Sequence, residues 1–169
     1  MMNTRMKNFY MSVAEQGAAM SRAVRLQVGC IIVKDGNIIS FSWNGMPSGW
    51  DNECEDTLVS YDERDAHNPL DVREWTYDSN TKQYSALKTK PEVLHAETNA
   101  VCKVARSSES SEGATLFTTH APCMECAKII YQAGITEVIW RNSYRTEAGI
   151  NFLNNAGVTM EQLYNEVRL

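Results

Sequence analysis

The sequence predicts an α/β fold. In the second half of the chain, short apolar strands alternate with helical segments, which indicates α/β layers with at least part of the sheet parallel. In the first half, an amphipathic helix precedes two β-rich runs that flank a turn. No internal repeat or linker interrupts the 169 residues, so we expect one domain over residues 1–169.

The N-terminal elements follow from periodicity and turn chemistry. Residues 5–20 carry apolar side chains at the spacing of an amphipathic helix. The runs 28–33 and 38–43 are rich in β-branched and aromatic residues, and the Asp-Gly pair between them is typical of a hairpin. The second run enters a Gly, Asn and Pro loop at 44–50, of a kind that can bring backbone amides close to a ligand.

The next segment differs in composition from the rest of the chain. Residues 51–78 contain ten acidic residues against two arginines, and their periodicity is poor apart from a possible short helix at 70–75. A charged segment of this kind is usually a solvated surface. We therefore expect an acidic insertion, at about 51–90, that leaves the core as a solvated excursion.

The remaining elements alternate regularly. The pattern predicts a helix over 96–105, a strand over 114–119, a helix over 122–133, a strand over 137–141 and a helix over 146–155. Glycines follow the last two helices, as is typical of helix C-termini.

Composition excludes several classes of protein. No apolar run is long enough to cross a bilayer, and the N-terminus lacks the apolar stretch of a signal peptide, so we expect a cytoplasmic protein that does not bind membranes. Five cysteines, an odd number, favour reduced thiols and metal ligands over disulfides. A net charge of -5 without a basic tract argues against binding along nucleic acid, whereas local arginines could hold a small anion.

One pattern carries metal chemistry: a His-x-Glu at 95–97 and a Pro-Cys-x-x-Cys at 122–126. His95, Cys123 and Cys126 are zinc ligands by type, and three protein ligands leave a coordination position for water, which indicates a catalytic site. Pro122 suits the first turn of a helix, so Cys123 and Cys126 would share one helix face. Glu97 could move protons at a zinc-bound water, whose pKa falls to about 7.

Each half of the pattern has another interpretation. Pro-Cys-x-x-Cys alone also occurs in redox proteins, and His-x-Glu alone occurs by chance. Together and in this order they match the signature of zinc nucleobase deaminases. His120 is expected to line the pocket rather than to bind metal, and Cys30 and Cys102 to behave as small hydrophobic residues.

The chain resembles the deoxycytidylate (dCMP) deaminases of the zinc cytidine deaminase superfamily. The resemblance lies in VGCIIVKDGNIISFSWNGMPSG at 28–49, HAETNA at 95–100, APCMECAKIIYQAGITEVIW at 121–140 and the NNAGV that ends the last helix. It implies a three-layer α/β/α fold with a central mixed five-stranded sheet. It also implies hydrolysis of dCMP to dUMP and ammonia, with Glu97 as catalytic acid and one catalytic Zn²⁺ per chain.

The resemblance also implies a substrate site. Asn44 matches an asparagine that contacts the sugar or nucleotide, and segments that hold the base edge match Ala96, Ala121 and Pro122. For the 5′-phosphate our candidates are Tyr144 and Arg145 together with Arg141, followed by Arg25 and Ser42.

Family members are typically homohexamers, activated by dCTP with Mg²⁺ and inhibited by dTTP. We assign the effector site to the Asn-Gly-x-Pro region and two nearby arginines: Arg22, Arg25, Trp43, Gly45, Met46, Pro47, Ser48, Gly49 and Asp51. A second, structural zinc is not expected, because the insertion offers only Cys54 and His67 as ligands.

Two other classes of function stay open from the sequence. One is another zinc deaminase of the superfamily, acting on tRNA adenosine, cytidine or guanine. The other is a non-catalytic module in which zinc is structural or a nucleotide is only sensed. Glu97 distinguishes them, because only an enzyme depends on this carboxylate.

Overall fold

The computed structural model describes residues 2–68 and 73–164. Its helices and strands are, in chain order, α1 (Thr4–Ala18), β1 (Gly29–Lys34), β2 (Asn37–Trp43), β3 (Glu55–Ser60), α2 (Glu63–Ala66), β4 (Thr76–Asp78), β5 (Gln83–Thr89), α3 (Ala96–Val104), β6 (Thr115–His120), α4 (Met124–Gln132), β7 (Glu137–Asn142), α5 (Ala148–Asn155) and β8 (Thr159–Gln162).

The main sheet has five strands in the order β2-β1-β6-β7-β8. Strand β1 pairs antiparallel with β2 and β6, whereas β6, β7 and β8 run parallel, so the sheet is mixed. The Asp-Gly turn joins β1 to β2 with positive φ at both Asp35 and Gly36, the backbone that such hairpins require. The expected α/β fold with a mixed five-stranded sheet is confirmed.

Helices cover both faces of this sheet. On one face Tyr10, Met11 and Ala14 of α1 pack against Ile31 and Phe117. On the other face α3, α4 and α5 pack on alternate residues of the same strands. Strand β1 is buried over nearly its whole length, as expected for a strand between two helical layers.

A glycine sets the distance between α1 and the sheet. A Cβ at Gly29 would lie 1.9 Å from the Ala14 carbonyl oxygen. Only the absence of a side chain lets the helix backbone approach β1 this closely.

The acidic insertion has more regular structure than its sequence indicates. Strands β3, β5 and β4 form a separate antiparallel sheet in that order, which the sequence analysis did not predict. Strands β3 and β4 were missed because β3 has a single buried residue and β4 has none, so neither has an apolar face that repeats every second residue. The helix predicted at 70–75 lies largely outside the described residues, and 73–75 are not helical.

Candidate active site

The N-termini of α3 and α4 meet at the site. His95 is the N-cap of α3 and Cys123 the N-cap of α4, and neither side chain caps its own helix. Cys126 follows in the first turn of α4. The prediction that both cysteines share a helical face is wrong, because Cys123 has extended backbone and α4 begins one residue later.

The three side chains nevertheless converge. The donor atoms of His95, Cys123 and Cys126 all lie within 4.8 Å of one another. His95 Nδ1 is 3.6 Å from Cys123 Sγ and 3.3 Å from Cys126 Sγ. A tetrahedral zinc with its usual bond lengths separates nitrogen from sulfur by about 3.6 Å, so the donor set fits this ion. Among the described residues no fourth donor joins the cluster, which leaves a position open.

The protonation of the metal-free cluster is uneven. Hydrogen bonding with Cys126 holds the pKa of the Cys123 thiol well below its usual range, and His95 adds to the effect. The same hydrogen bond, with burial, raises the pKa of Cys126. These opposite directions favour a thiolate at Cys123 and a thiol at Cys126, and zinc binding by both sulfurs would require the loss of that thiol proton.

Glu97 lies in the first turn of α3 with 5 % of its surface exposed. Burial raises the pKa of its carboxyl group to about 7. A carboxyl group with this pKa can both accept and return a proton near neutral pH. Glu97 belongs to the cavity wall and not to the donor cluster, as the sequence predicted for a proton shuttle.

A cavity of about 210 Å³ opens beside this cluster. Its wall includes the predicted residues Asn44, Ala96, Ala121, Tyr144 and Arg145, and also His120. The His120 ring is held by a hydrogen bond, since its Nδ1 lies 3.1 Å from Thr119 Oγ1. Burial lowers the pKa of His120, which favours the neutral imidazole.

Asn44 is fixed by two hydrogen bonds of its side chain. Its Oδ1 accepts the Val28 N–H at 2.8 Å, and its Nδ2 donates to the Leu26 carbonyl at 2.8 Å. The amide thus holds the segment before β1 against the cavity and keeps one N–H for a ligand.

Three predicted contact residues lie elsewhere. Ser42 is fully buried and donates to the carbonyls of Cys30 and Ala96, so its hydroxyl is not available to a phosphate. Arg141 donates to Glu15 and to the Leu163 carbonyl, away from the cavity. Pro122 is buried next to the cavity residue Ala121 without lining the cavity itself, and its carbonyl lies against Gly149 of α5.

The residues that we assign to the effector site lie in different parts of the structure. Arg25 lines the catalytic cavity, whereas Arg22 is exposed outside it. Trp43 stacks edge-on against Phe41 at the end of β2. In the loop that follows, Gly45 is paired with Leu94, and a turn over Pro47, Ser48 and Gly49 is closed by the Trp50 N–H, which donates to the Pro47 carbonyl at 3.1 Å. Met46 precedes this turn and Asp51 follows it.

That loop is bonded to the segment that enters the site. Gly45 and Leu94 exchange both backbone hydrogen bonds, at 3.1 and 2.9 Å, and His95 follows Leu94 directly. Met46 N–H donates to Asn52 Oδ1 at 3.3 Å, which closes the loop.

Among the cavity residues that were not predicted, two have polar side chains. Glu55 of β3 and Thr89 of β5 belong to the acidic insertion and line the cavity. No motif marks them, since a single Glu and a single Thr in a charged segment carry no pattern.

Residues 4–142 match the sequence family described as the cytidine and deoxycytidylate deaminase zinc-binding region. The chain belongs to this family. Human deoxycytidylate deaminase is 33% identical over 160 residues, covering 91% of this chain and 77% of the relative. The phage T4 deoxycytidylate deaminase is 33% identical over 154 residues, covering 82% of this chain and 79% of the relative.

A solved structure of a dCMP deaminase is similar to this chain over nearly its whole length. The dCMP deaminase of cyanophage S-TIM5, crystallised with dCMP and dUMP, aligns with a TM-score of 0.76 and 39% identity over 96% of this chain and 99% of that one. The zinc-binding family match and the His95, Cys123 and Cys126 cluster together support Zn²⁺ as the metal. Within the described ranges, no helix has the length and apolar character needed to cross a membrane.

Proposed function

We propose that the protein catalyses the hydrolytic deamination of dCMP to dUMP and ammonia and so supplies dUMP for thymidylate synthesis. The observation that carries the proposal is the convergence of three zinc-binding side chains with a buried Glu97 at one cavity. The choice of nucleotide is supported by similarity to the cyanophage enzyme that was crystallised with dCMP and dUMP.

The proposed mechanism divides the chemistry between metal and protein. Zinc held by His95, Cys123 and Cys126 would supply Lewis-acid activation of water for attack at C4 of cytosine. Glu97 takes one proton of the water to N3 of the ring and the other to the departing amine. Atoms balance, because one water supplies the carbonyl oxygen of uracil and both protons. A pKa of about 7 suits Glu97 to this double role.

Substrate binding is proposed for the rest of the cavity wall. Backbone groups at Ala96 and Ala121 are suited to the base edge, and the remaining amide N–H of Asn44 to the sugar. Arg145 and Tyr144 lie next to each other, with the guanidinium 5.9 Å from the ring centre, and supply donors for the 5′-phosphate.

Regulation and assembly are part of the proposal. We infer activation by dCTP with Mg²⁺ and inhibition by dTTP at the loop from Trp43 to Asp51, within a cytoplasmic homohexamer. The two bonds between Gly45 and Leu94 support this assignment, because a shift of the loop would reach His95 directly. The proposal includes neither nucleic acid nor membrane as a partner.

Ammonia release tests the activity. Turnover of dCMP, deoxycytidine, CMP and dCTP is compared, each with and without dCTP and dTTP as effectors. We expect dCMP to be the best substrate, dCTP to raise its turnover and dTTP to lower it. A Glu97→Gln variant that keeps its zinc is the inactive control.

Faster turnover of CMP than of dCMP would contradict the substrate assignment. Unchanged dCMP turnover at saturating dTTP would contradict the effector site alone. Full activity of the Glu97→Gln variant would contradict the catalytic role of this carboxylate.

A further inference from the structure

Thr98 is hydrogen-bonded to one of the three zinc-binding side chains. Its Oγ1 lies 3.7 Å from Cys126 Sγ, a hydrogen-bonding distance for sulfur. Thr98 is in the first turn of α3, three residues after His95, and Cys126 is in the first turn of α4. The contact therefore joins the two helices that carry the metal-binding residues. In the described part of the chain, no other hydroxyl is bonded to His95, Cys123 or Cys126.

The two cysteines of the cluster differ in their access to water. Cys126 has 1 % of its surface exposed, whereas Cys123 is partly exposed at the N-cap of α4. Water can therefore reach the Cys123 sulfur but not the Cys126 sulfur. A buried charged group without a hydrogen bond is costly in free energy, so a thiolate at Cys126 needs a donor from the protein. The hydroxyl of Thr98 is placed to be that donor.

Zinc binding determines the direction of this hydrogen bond. Zinc binds cysteine as a thiolate, which has no proton to donate. The Thr98 hydroxyl must then be the donor and the Cys126 sulfur the acceptor. A hydrogen bond to a charged acceptor is stronger than one between neutral groups, and it holds the sulfur in one orientation. It also draws negative charge away from the sulfur, which tunes the metal that the sulfur binds.

We propose that Thr98 is a positioning residue of the zinc site, whose hydroxyl donates to the Cys126 thiolate and orients this ligand toward the metal. The proposal rests on the zinc site of the proposed function and deepens it, because Thr98 lies outside the His-x-Glu and Pro-Cys-x-x-Cys motifs. Thr98 acts through Cys126 and not on the substrate. The start of α3 thus supplies a metal ligand in His95, a proton carrier in Glu97 and a donor to the second helix in Thr98.

Thr98→Val tests the hydroxyl, since it removes the donor and keeps a β-branched side chain. We expect the affinity for zinc, measured by competition with a chelating dye, to fall about tenfold to a hundredfold. Thr98→Ser keeps the hydroxyl, so its zinc affinity should stay within about threefold of wild type. Thr136→Val is the matched control, because Thr136 is an exposed threonine beyond the C-terminus of α4. It should bind zinc as wild type does.

Substitution of zinc by Co²⁺ reports on the hydrogen bond itself. The sulfur-to-metal charge-transfer band of a cobalt–thiolate site depends on the charge held on sulfur. Loss of the donor leaves more charge on the Cys126 sulfur, so the band of Thr98→Val should move to longer wavelength. The bands of Thr98→Ser and Thr136→Val should stay at the wild-type position. A role in packing alone would lower the stability of the zinc-free protein without moving this band.

Equal zinc affinity in wild type and Thr98→Val, or an unmoved cobalt band, would overturn the positioning role while the proposed deamination stands. Equal losses for Thr98→Val and Thr98→Ser would overturn it as well, because serine keeps the donor. A wild-type chain that binds zinc and shows the expected shifts but does not deaminate dCMP would support this proposal and overturn the proposed function. A wild-type chain that binds no zinc would overturn both.

Discussion

Glu97 is a carboxyl group surrounded by protein, and this burial controls its charge. Its pKa rises from 4.5 in the unfolded chain to about 7 in the folded, metal-free chain. The folded state therefore binds more protons than the unfolded state between these two values. The contribution of the Glu97 carboxyl group to the free energy of unfolding is therefore present below pH 4.5 and is lost as the pH rises through about 7.

Glu97→Gln should remove this dependence in the zinc-free protein. At pH 8 we expect the variant to be more stable than wild type by up to about 3 kcal/mol, since each unit of pKa shift corresponds to about 1.4 kcal/mol. At pH 5 the difference should fall below about 1 kcal/mol. Urea unfolding of the variant and of wild type at pH 8 and at pH 5 measures the two stability differences. The exposed Glu92→Gln is the control, and a variant less stable than wild type at pH 8 would contradict the prediction.

For Ser42 and Arg141, the hydrogen bonds in the structure decide whether the side chain is available to a ligand. Ser42 and Arg141 both have side chains that can donate hydrogen bonds to a phosphate, and the sequence analysis named both as candidates. In the structure Ser42 joins β2 to α3 through the Ala96 carbonyl, and Arg141 joins β7 to α1 through Glu15. Their donors serve the fold, so they are not free for a ligand.

At the scale of elements, α5 controls how closely the loop before α4 can pack. A Cβ at Gly149 would lie 2.1 Å from the Pro122 carbonyl oxygen and 2.9 Å from the Cys123 carbonyl carbon. Both contacts are to backbone, which cannot move without displacing a zinc ligand. Gly149 is thus a requirement of the metal site, although it lies outside the His-x-Glu and Pro-Cys-x-x-Cys motifs.

Gly149→Ala should weaken zinc binding. We expect destabilisation of about 1 to 3 kcal/mol from overpacking and a lower affinity for zinc, measured by competition with a chelating dye. The control is Asn151→Ala, an exposed position of α5 at which alanine favours the helix. Zinc affinity equal to wild type in Gly149→Ala would contradict this account.

The strands of the insertion sheet could not be predicted from the hydrophobic pattern of the sequence. Strand β4 is exposed throughout, and β3 has one buried residue, Ser60. Without a hydrophobic face, the sequence offers no period from which to predict strands. The sheet forms because β5 pairs on both sides, with β4 across a short turn and with β3 from an earlier segment of the chain, and the β3 pairing leaves no local pattern in the sequence.

At the scale of the whole molecule, zinc should stabilise the folded chain. The sequence predicts one zinc per chain, and the described residues contain one cluster of three donors. Cys54 and His67 do not join it; Cys54 lies near Asn52, and His67 Nδ1 is 2.9 Å from the Glu63 carbonyl.

Elemental analysis should return one zinc per chain. Removal by a chelator should lower Tm, because a ligand that binds only the folded state stabilises it, by about 4 kcal/mol at a thousandfold excess over Kd. Added zinc should restore Tm in wild type but not in Cys123→Ala. Two zinc ions per chain would contradict the prediction.

The sequence by itself determined the α/β class and the hairpin, and it was enough to predict the three candidate zinc ligands and the place of Glu97 beside them, because each depends on residue type at short spacing. The tertiary structure decided which groups face the cavity. It uses the donors of Ser42 and Arg141 within the fold and places Glu55 and Thr89 in the cavity wall, since hydrogen bonds between distant segments determine which donors are left for a ligand.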